Sequence, residues 1–269
     1  MTSRRLCGAP CAQVKKTFEK THNCSKKKRF CQHYPIRTLG LWLECGGNNL
    51  SFEAFDQVAK SIQENEISIN LKLLRDELPW PASAADFIAR TLSLNQKLFQ
   101  KVTILIPKLG RFRSVGEEVE VDVGKHQFAG EIADKIEESL AQLWANLQES
   151  IGKLQPDRNL LLTEDQVLEL SAYIMVHFFK VHPFNDGNGR VARILIRIFA
   201  RRQGFDFDFD RKVRQSDKKY LDALREAHSF HRERNGRIGL KSCHRVALFL
   251  KLFMNPVHAY GEDEEPASN

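Results

Sequence analysis

The residues best equipped for chemistry stand together in Val181-His182-Pro183-Phe184-Asn185-Asp186-Gly187-Asn188-Gly189-Arg190, followed by Val191-Ala192-Arg193. His182 carries the side chain whose ordinary pKa lies near neutrality, as a general base requires. Asp186 offers the hard oxygen that Mg²⁺ takes when it also holds substrate phosphates. Gly187-Asn188-Gly189 opens a helix, where backbone N–H groups lack intrahelical partners and glycines let a phosphate come close. Arg190 and Arg193 are three apart on the first helical turn, so both guanidinium groups can reach one anion. Phe184 reads as a buried anchor for the loop. Taken singly, each of these residues has a plainer use, the turn as a helix cap and the histidine as a packed side chain. Their joint spacing, from base to anion cradle, points instead to phosphate-centred chemistry.

Two helices must hold this stretch. Thr163 and Gln166 form a capping-box pattern ahead of Val167, Leu170, Ile174 and Phe178, which recur at helical spacing up to Lys180. Pro183 ends that helix, because it has no backbone donor and disfavours helical geometry just before it. A second helix starts after Gly189 with Val191, Ile194, Leu195, Ile198 and Phe199, and Gly204 is its natural stop.

The stretch resembles the signature of the Fic family, His-x-Phe-x-(Asp/Glu)-Gly-Asn-Gly-(Arg/Lys)-x-x-Arg, and agrees with it at every fixed position. The resemblance implies transfer of AMP from ATP to a protein hydroxyl. By position, His182 would deprotonate a target Ser, Thr or Tyr, and Asp186 would hold Mg²⁺. Gly187, Asn188 and Gly189 would cradle phosphates, while Arg190 and Arg193 would neutralise the outer ones. Such a transfer depends on positioning and charge neutralisation more than on covalent help. A related transfer of another phosphate-bearing group, or removal of AMP, would use the same cradle. A different class of reading makes the chain a nucleotide-binding module held silent by its own glutamate or by a separate inhibitor chain; a homo-oligomer fits either reading.

The wider composition is that of a globular domain: 42% hydrophobic, 28% charged, net charge +7. No apolar run nears the ~18 residues of a membrane span, and no secretory leader is visible, so a cytosol, its own or a host's, is expected. The positive charge is local. Residues 1–37 hold ten Lys/Arg and one acid, leaving 31 basic against 33 acidic residues elsewhere. A tail with Lys26-Lys27-Lys28-Arg29 could meet nucleic acid or an acidic membrane, but a solvated arm is the simpler reading. Five of the six cysteines fall by residue 45. A Zn²⁺ site of Cys7, Cys11, Cys24 and Cys31 would lack the paired Cys-x-x-Cys knuckles, so reduced thiols are expected.

The expected organisation is all-helical with a small β-hairpin: residues 1–37 a basic tail, 38–100 a helical cap, 101–255 the catalytic core and 256–269 an acidic tail. In the cap, Phe52, Phe55, Val58, Ala59 and Ile62 form one apolar stripe and Ile69, Leu71, Leu73, Leu74 and Leu78 another, with Ala84 to Phe99 a further helix. Fic proteins resemble one another in an inhibitory helix, (Ser/Thr)-x-x-x-Glu-(Gly/Asn), whose glutamate pairs with the second signature arginine. Glu64-Asn65 resembles its end, although Lys60 stands where Ser or Thr is required. Gly110-Arg111-Phe112-Arg113 is similar to the family's flap beside the active site, and with Glu118–Val123 it reads as a hairpin whose edge would dock the target. Ile132, Ile136, Leu140, Leu143 and Leu147 line one helix face, and Phe205–Asp210 reads as an extended connection. Ser216 caps a helix bearing Tyr220, which the resemblance places near the adenine, and Arg237 to Met254 forms the last helix.

Overall fold

The computed structural model describes residues 52–100, 102, 108–117, 120–123, 126–155, 157, 160–209, 222–224, 226–227 and 240–257. Cys7, Cys11, Cys24, Cys31, Tyr220 and the acidic end lie outside those residues. The chain divides into units 1–54 and 55–269, and the elements below belong to the second, which α1 enters from its first turn. They are α1 (Phe52–Leu74), α2 (Ala84–Leu98), β1 (Glu120–Val123), β2 (His126–Ala129), α3 (Ile136–Leu154), α4 (Glu164–Val181), α5 (Asn188–Arg202), β3 (Phe205–Phe207), α6 (His244–Leu250) and β4 (Met254–Pro256). Among the described residues the fold is helical with two small antiparallel sheets, β1–β2 and β3–β4.

The centre is α4. It is apolar nearly all round, which suits a helix enclosed by others, and Val167, Leu170, Ile174, Val176 and Phe178 are fully buried. It packs against α3, α5 and α6, while α2 packs on α3 and α5. Its start is the expected capping box: Thr163 Oγ1 accepts from the Gln166 N–H at 3.4 Å and Gln166 Oε1 from the Thr163 N–H at 2.9 Å. Its end is His182 in the left-handed region at φ 46°, ahead of Pro183. The second helix, α5, stops at Arg202, with Gly204 at φ 82° as the sequence suggests. Beneath α5 lies an aromatic cluster in which Trp80 stands 5.5 Å from Trp144 and 5.3 Å from Phe199.

Several expectations need correction. The two apolar stripes before residue 75 belong to one helix, on which Ile69 and Leu73 are buried while Leu71 and Leu74 are exposed. Ile132 precedes α3 and is 62% exposed, because a 3₁₀ turn at Ala133–Lys135 intervenes. The hairpin partner of β1 is β2, with Val123 opposite His126, and not the Gly110–Arg113 segment. The last helix is only His244–Leu250, and Met254–Pro256 instead pairs with Phe205–Phe207. From the expected cap, α2 packs on α3 and α5 of the expected core.

Phe199→Ala would remove a ring that is 1% exposed. The expected loss is ~3–5 kcal/mol, read as a lower urea midpoint with an unchanged m value.

Candidate active site

The loop between α4 and α5 is six residues long, His182 to Gly187, and side chains brace it at both ends. Asn188, 4% exposed, grips Phe184 twice: its Oδ1 accepts from the Phe184 N–H at 3.1 Å and its Nδ2 donates to the Phe184 carbonyl at 2.8 Å. Phe184 is buried, as expected, stacked 5.3 Å from Phe112 and tilted 6.4 Å from Phe178. Asn95, on α2 and 1% exposed, donates to the Asp186 carbonyl at 3.0 Å and accepts from the Gly110 N–H at 3.0 Å. Gly187 adopts φ 84°, and a Cβ there would lie 2.7 Å from the Phe99 ring and 2.9 Å from the Asn95 amide. Glycine is therefore required twice over, by conformation and by space. Because the Asn188 side chain is committed to the loop, any help it gives an anion comes through its backbone N–H.

His182 is half-buried, and its amide closes α4 by donating to the Phe178 carbonyl at 2.9 Å. Its Nδ1 is buried with no well-aligned hydrogen-bond partner among the described residues. Burial first, and then the positive charge of Arg113, push its pKa down to about 4, opposed by the backbone of Phe179. The ring is thus neutral across physiological pH, the state in which it can accept a proton.

Arg190 and Arg193 leave the first turn of α5 together and meet one carboxylate. It belongs to Glu66 of α1: Arg190 Nε lies 3.4 Å and Arg193 Nη2 4.0 Å from its two oxygens. The expectation placed this role on Glu64, and the structure corrects it. Glu64 is exposed, two residues or ~200° around the helix from Glu66. Asn65, beside it, instead donates to the Leu98 carbonyl at 3.1 Å. A longer seam continues the contact, with Asn70 accepting from Arg197 at 2.9 Å and Asp76 from Arg201 at 3.2 Å. The sequence signal overlooked was a matched four-residue step, Glu66 and Asn70 on one helix against Arg193, Arg197 and Arg201 on the other.

The segment Gly110-Arg111-Phe112-Arg113 does stand beside the loop, but its side chains do not form an open docking edge. Arg113 is 3% exposed and donates to four backbone carbonyls, while Phe112 is stacked on Phe184. Arg111 is committed to Glu117 through two bonds of 3.0 and 2.7 Å. Burial pushes the Glu117 carboxyl up, but Arg111, the Ser114 N–H and hydroxyl and the Asn185 amide outweigh it and bring it down to about 2. Neither Glu117 nor Asn95 was legible as a site residue, because each acts through a contact distant in sequence.

Asp186 is half-buried at the entry to α5, with Oδ1 accepting from the Gly187 N–H at 2.5 Å. Among the described residues no three His, Cys, Asp or Glu side chains could hold a metal by themselves. One hard carboxylate beside an anion cradle nevertheless suits Mg²⁺, which takes its other ligands from phosphates and water.

Two measurements test this geometry. The His182 ring, followed by NMR in the free protein, should titrate near 4 and not 6.5. Since the unfolded chain binds that proton first, stability should fall as pH drops from 6.5 towards 4, and this acid loss should shrink in His182→Gln. Gly187→Ala should cost ~1–3 kcal/mol in thermal unfolding and weaken anion binding measured by calorimetry.

The Fic/DOC family model matches residues 86–200. No curated protein matches the chain. Among solved structures, the N-terminal Fic domain of a VirB-translocated Bep effector from Bartonella quintana is similar at TM-score 0.55 and 14% identity, covering 78% of this chain and 86% of that one. BepC from Bartonella tribocorum, with bound AMPPNP, is similar at TM-score 0.52 and 16% identity over 75% and 86%. A Fic-domain signalling protein from Bacteroides thetaiotaomicron is similar at TM-score 0.51 and 17% identity over 90% and 84%. The matched residues contain the whole loop from His182 to Arg193, and the solved structures share the fold.

Proposed function

We propose that the protein is a nucleotide-dependent transferase, and specifically a protein adenylyltransferase that moves AMP from Mg-ATP to a Ser, Thr or Tyr hydroxyl. The observation that carries this reading is the convergence of Arg190 and Arg193 on one anionic group, at the N-terminus of a helix whose loop begins with a neutral imidazole. BepC, of the same fold, holds AMPPNP, and this supports a nucleotide as the anion. Phosphates would meet the backbone N–H groups from Gly187 to Gly189 and the two guanidinium groups. Mg²⁺, held by Asp186, would neutralise phosphate charge. The target would lie along the edge of the β1–β2 hairpin by strand addition. Its hydroxyl oxygen attacks the α-phosphorus, pyrophosphate leaves, and the hydroxyl proton passes to His182.

Glu66 favours a second reading of the resting state. Its carboxylate occupies the pair of arginines that an outer phosphate needs, so the free protein is a nucleotide-binding module held silent by α1.

ATP labelled at the α- or γ-phosphate, incubated with Mg²⁺ and cell lysate, separates these readings. Protein-bound α-label should appear with the native chain and vanish with His182→Ala. Glu66→Gly should raise it ~10-fold or more, the scale of a lost competing ion pair, whereas Glu64→Gly should leave it unchanged. Label from the γ-position alone would replace AMP transfer with phosphoryl transfer. No label from either position, even with Glu66→Gly, would leave the binding module as the surviving reading.

A further inference from the structure

One guanidinium group joins three parts of the molecule. Arg113 Nε donates to the His182 carbonyl at 2.7 Å, and Nη2 donates to the Val181 carbonyl at 3.3 Å. Nη1 donates to the Glu117 carbonyl at 2.9 Å and Nη2 also to the Glu131 carbonyl at 2.6 Å. Val181 and His182 end α4. Glu117 and Glu131 lie just outside the hairpin, one before β1 and the other after β2. The joint is reinforced by main-chain bonds: the Arg113 N–H donates to the Pro183 carbonyl at 2.9 Å and the Glu131 N–H to the Val181 carbonyl at 3.1 Å.

Four carbonyls in two directions need a planar fork with donors on three nitrogens, which arginine has and lysine lacks. The cation also suits its place, since it meets carbonyls without intrahelical partners at the negative dipole end of α4. Because the side chain is 3% exposed, water cannot substitute for these bonds without opening the site. The charged groups around it are the Glu117 and Glu131 carboxylates, which support its charge, with Arg111 on Glu117 and Lys180 of α4 in the field of Glu131.

We propose that Arg113 is a positioning residue that locks the β1–β2 hairpin and His182 into one fixed register, so that a hydroxyl held along the hairpin reaches the base without further rearrangement. The catalytic half of this statement rests on the transferase reading above, whereas the mechanical half does not. Without the fork, the main-chain bonds at Pro183 and Val181 still tie the hairpin to the end of α4, and the hairpin can rock about them. The base would then face a hydroxyl whose distance varies, and a displacement of ~1 Å can cost ~100-fold in rate.

The test uses Arg113→Met and Arg113→Lys in the full chain. Three readouts are followed: amide exchange at Glu131, the His182 ring titration, and α-label transfer with its kcat and its KM for Mg-ATP. In Arg113→Met the Glu131 amide should exchange at least ~10-fold faster, and the ring should titrate higher because a neighbouring positive charge is gone. Transfer should fall ~100-fold in kcat with KM for Mg-ATP within about twofold. Arg113→Lys should keep the ring titrating low but restore neither slow exchange nor rate, which separates charge from geometry. Native exchange and rate in Arg113→Met, or full rescue by lysine, would overturn the proposal. So would a rise in KM for Mg-ATP that accounts for the loss, since that would mean a general collapse of the loop. If circular dichroism finds Arg113→Met unfolded, the same readouts on Arg113→Lys decide. If the native chain transfers no label, the transferase reading fails, while exchange and titration still decide the role of Arg113.

Discussion

A short loop between two helix ends has more backbone donors and acceptors than it can pair by itself. The rest of the site follows from how that need is met. The last carbonyls of α4 are taken by Arg113, the Phe184 peptide groups by Asn188, and the Asp186 carbonyl by Asn95. Each brace comes from a different element, so the loop keeps its shape only when α2, α5 and the segment before the hairpin are all in place. Rigidity of this kind is what a transfer reaction asks of its scaffold, because most of its acceleration comes from groups already aimed at the developing charge.

The same economy explains the electrostatics. A cation buried beside His182 stabilises the end of α4 and at the same time makes a second positive charge on the ring costly. Burial is the larger cause of the ring's low pKa, and the guanidinium that supports the end of α4 adds to it. On the far side of the loop the balance is reversed: Arg190 and Arg193 bring two positive charges to a helix N-terminus, and an anion has to answer them. Glu66 does so at 3.4 and 4.0 Å, distances long enough for a better-placed phosphate to displace it.

What the sequence made legible was local. The capping box at Thr163, the stop at Pro183 and the glycine at 204 are fixed by neighbours a few residues apart, and the structure places them as expected. What it hid was pairing across the chain. Asn95 lies 91 residues from Asp186 and Arg113 lies 69 from His182, and nothing in either neighbourhood announces such a partner. The hairpin failed for a related reason. Glu118–Val123 has strand-like alternation, but alternation does not say which neighbour it pairs with, and the partner of Glu120–Val123 is downstream at His126–Ala129.

That Glu66 and not Glu64 meets the two arginines comes from helix periodicity acting over several turns. On α5 the arginines 193, 197 and 201 step by four, so they form a ridge along one side of the helix. A neighbouring helix that answers every step must also offer partners four apart. From α1 these are Glu66, Asn70 and the carbonyl of Leu74, which receives Arg201 at 3.3 Å. Contact numbers rise together along both helices, so the two run parallel and the polar seam fixes their register. Glu64 could pair with Arg193 only if α1 turned by nearly half a revolution. That turn would expose Ile62, Ile69 and Leu73, each now less than a tenth exposed, and would break the seam at every step. The choice of glutamate is thus made by the apolar face and the arginine ladder together, at a distance from the residue itself.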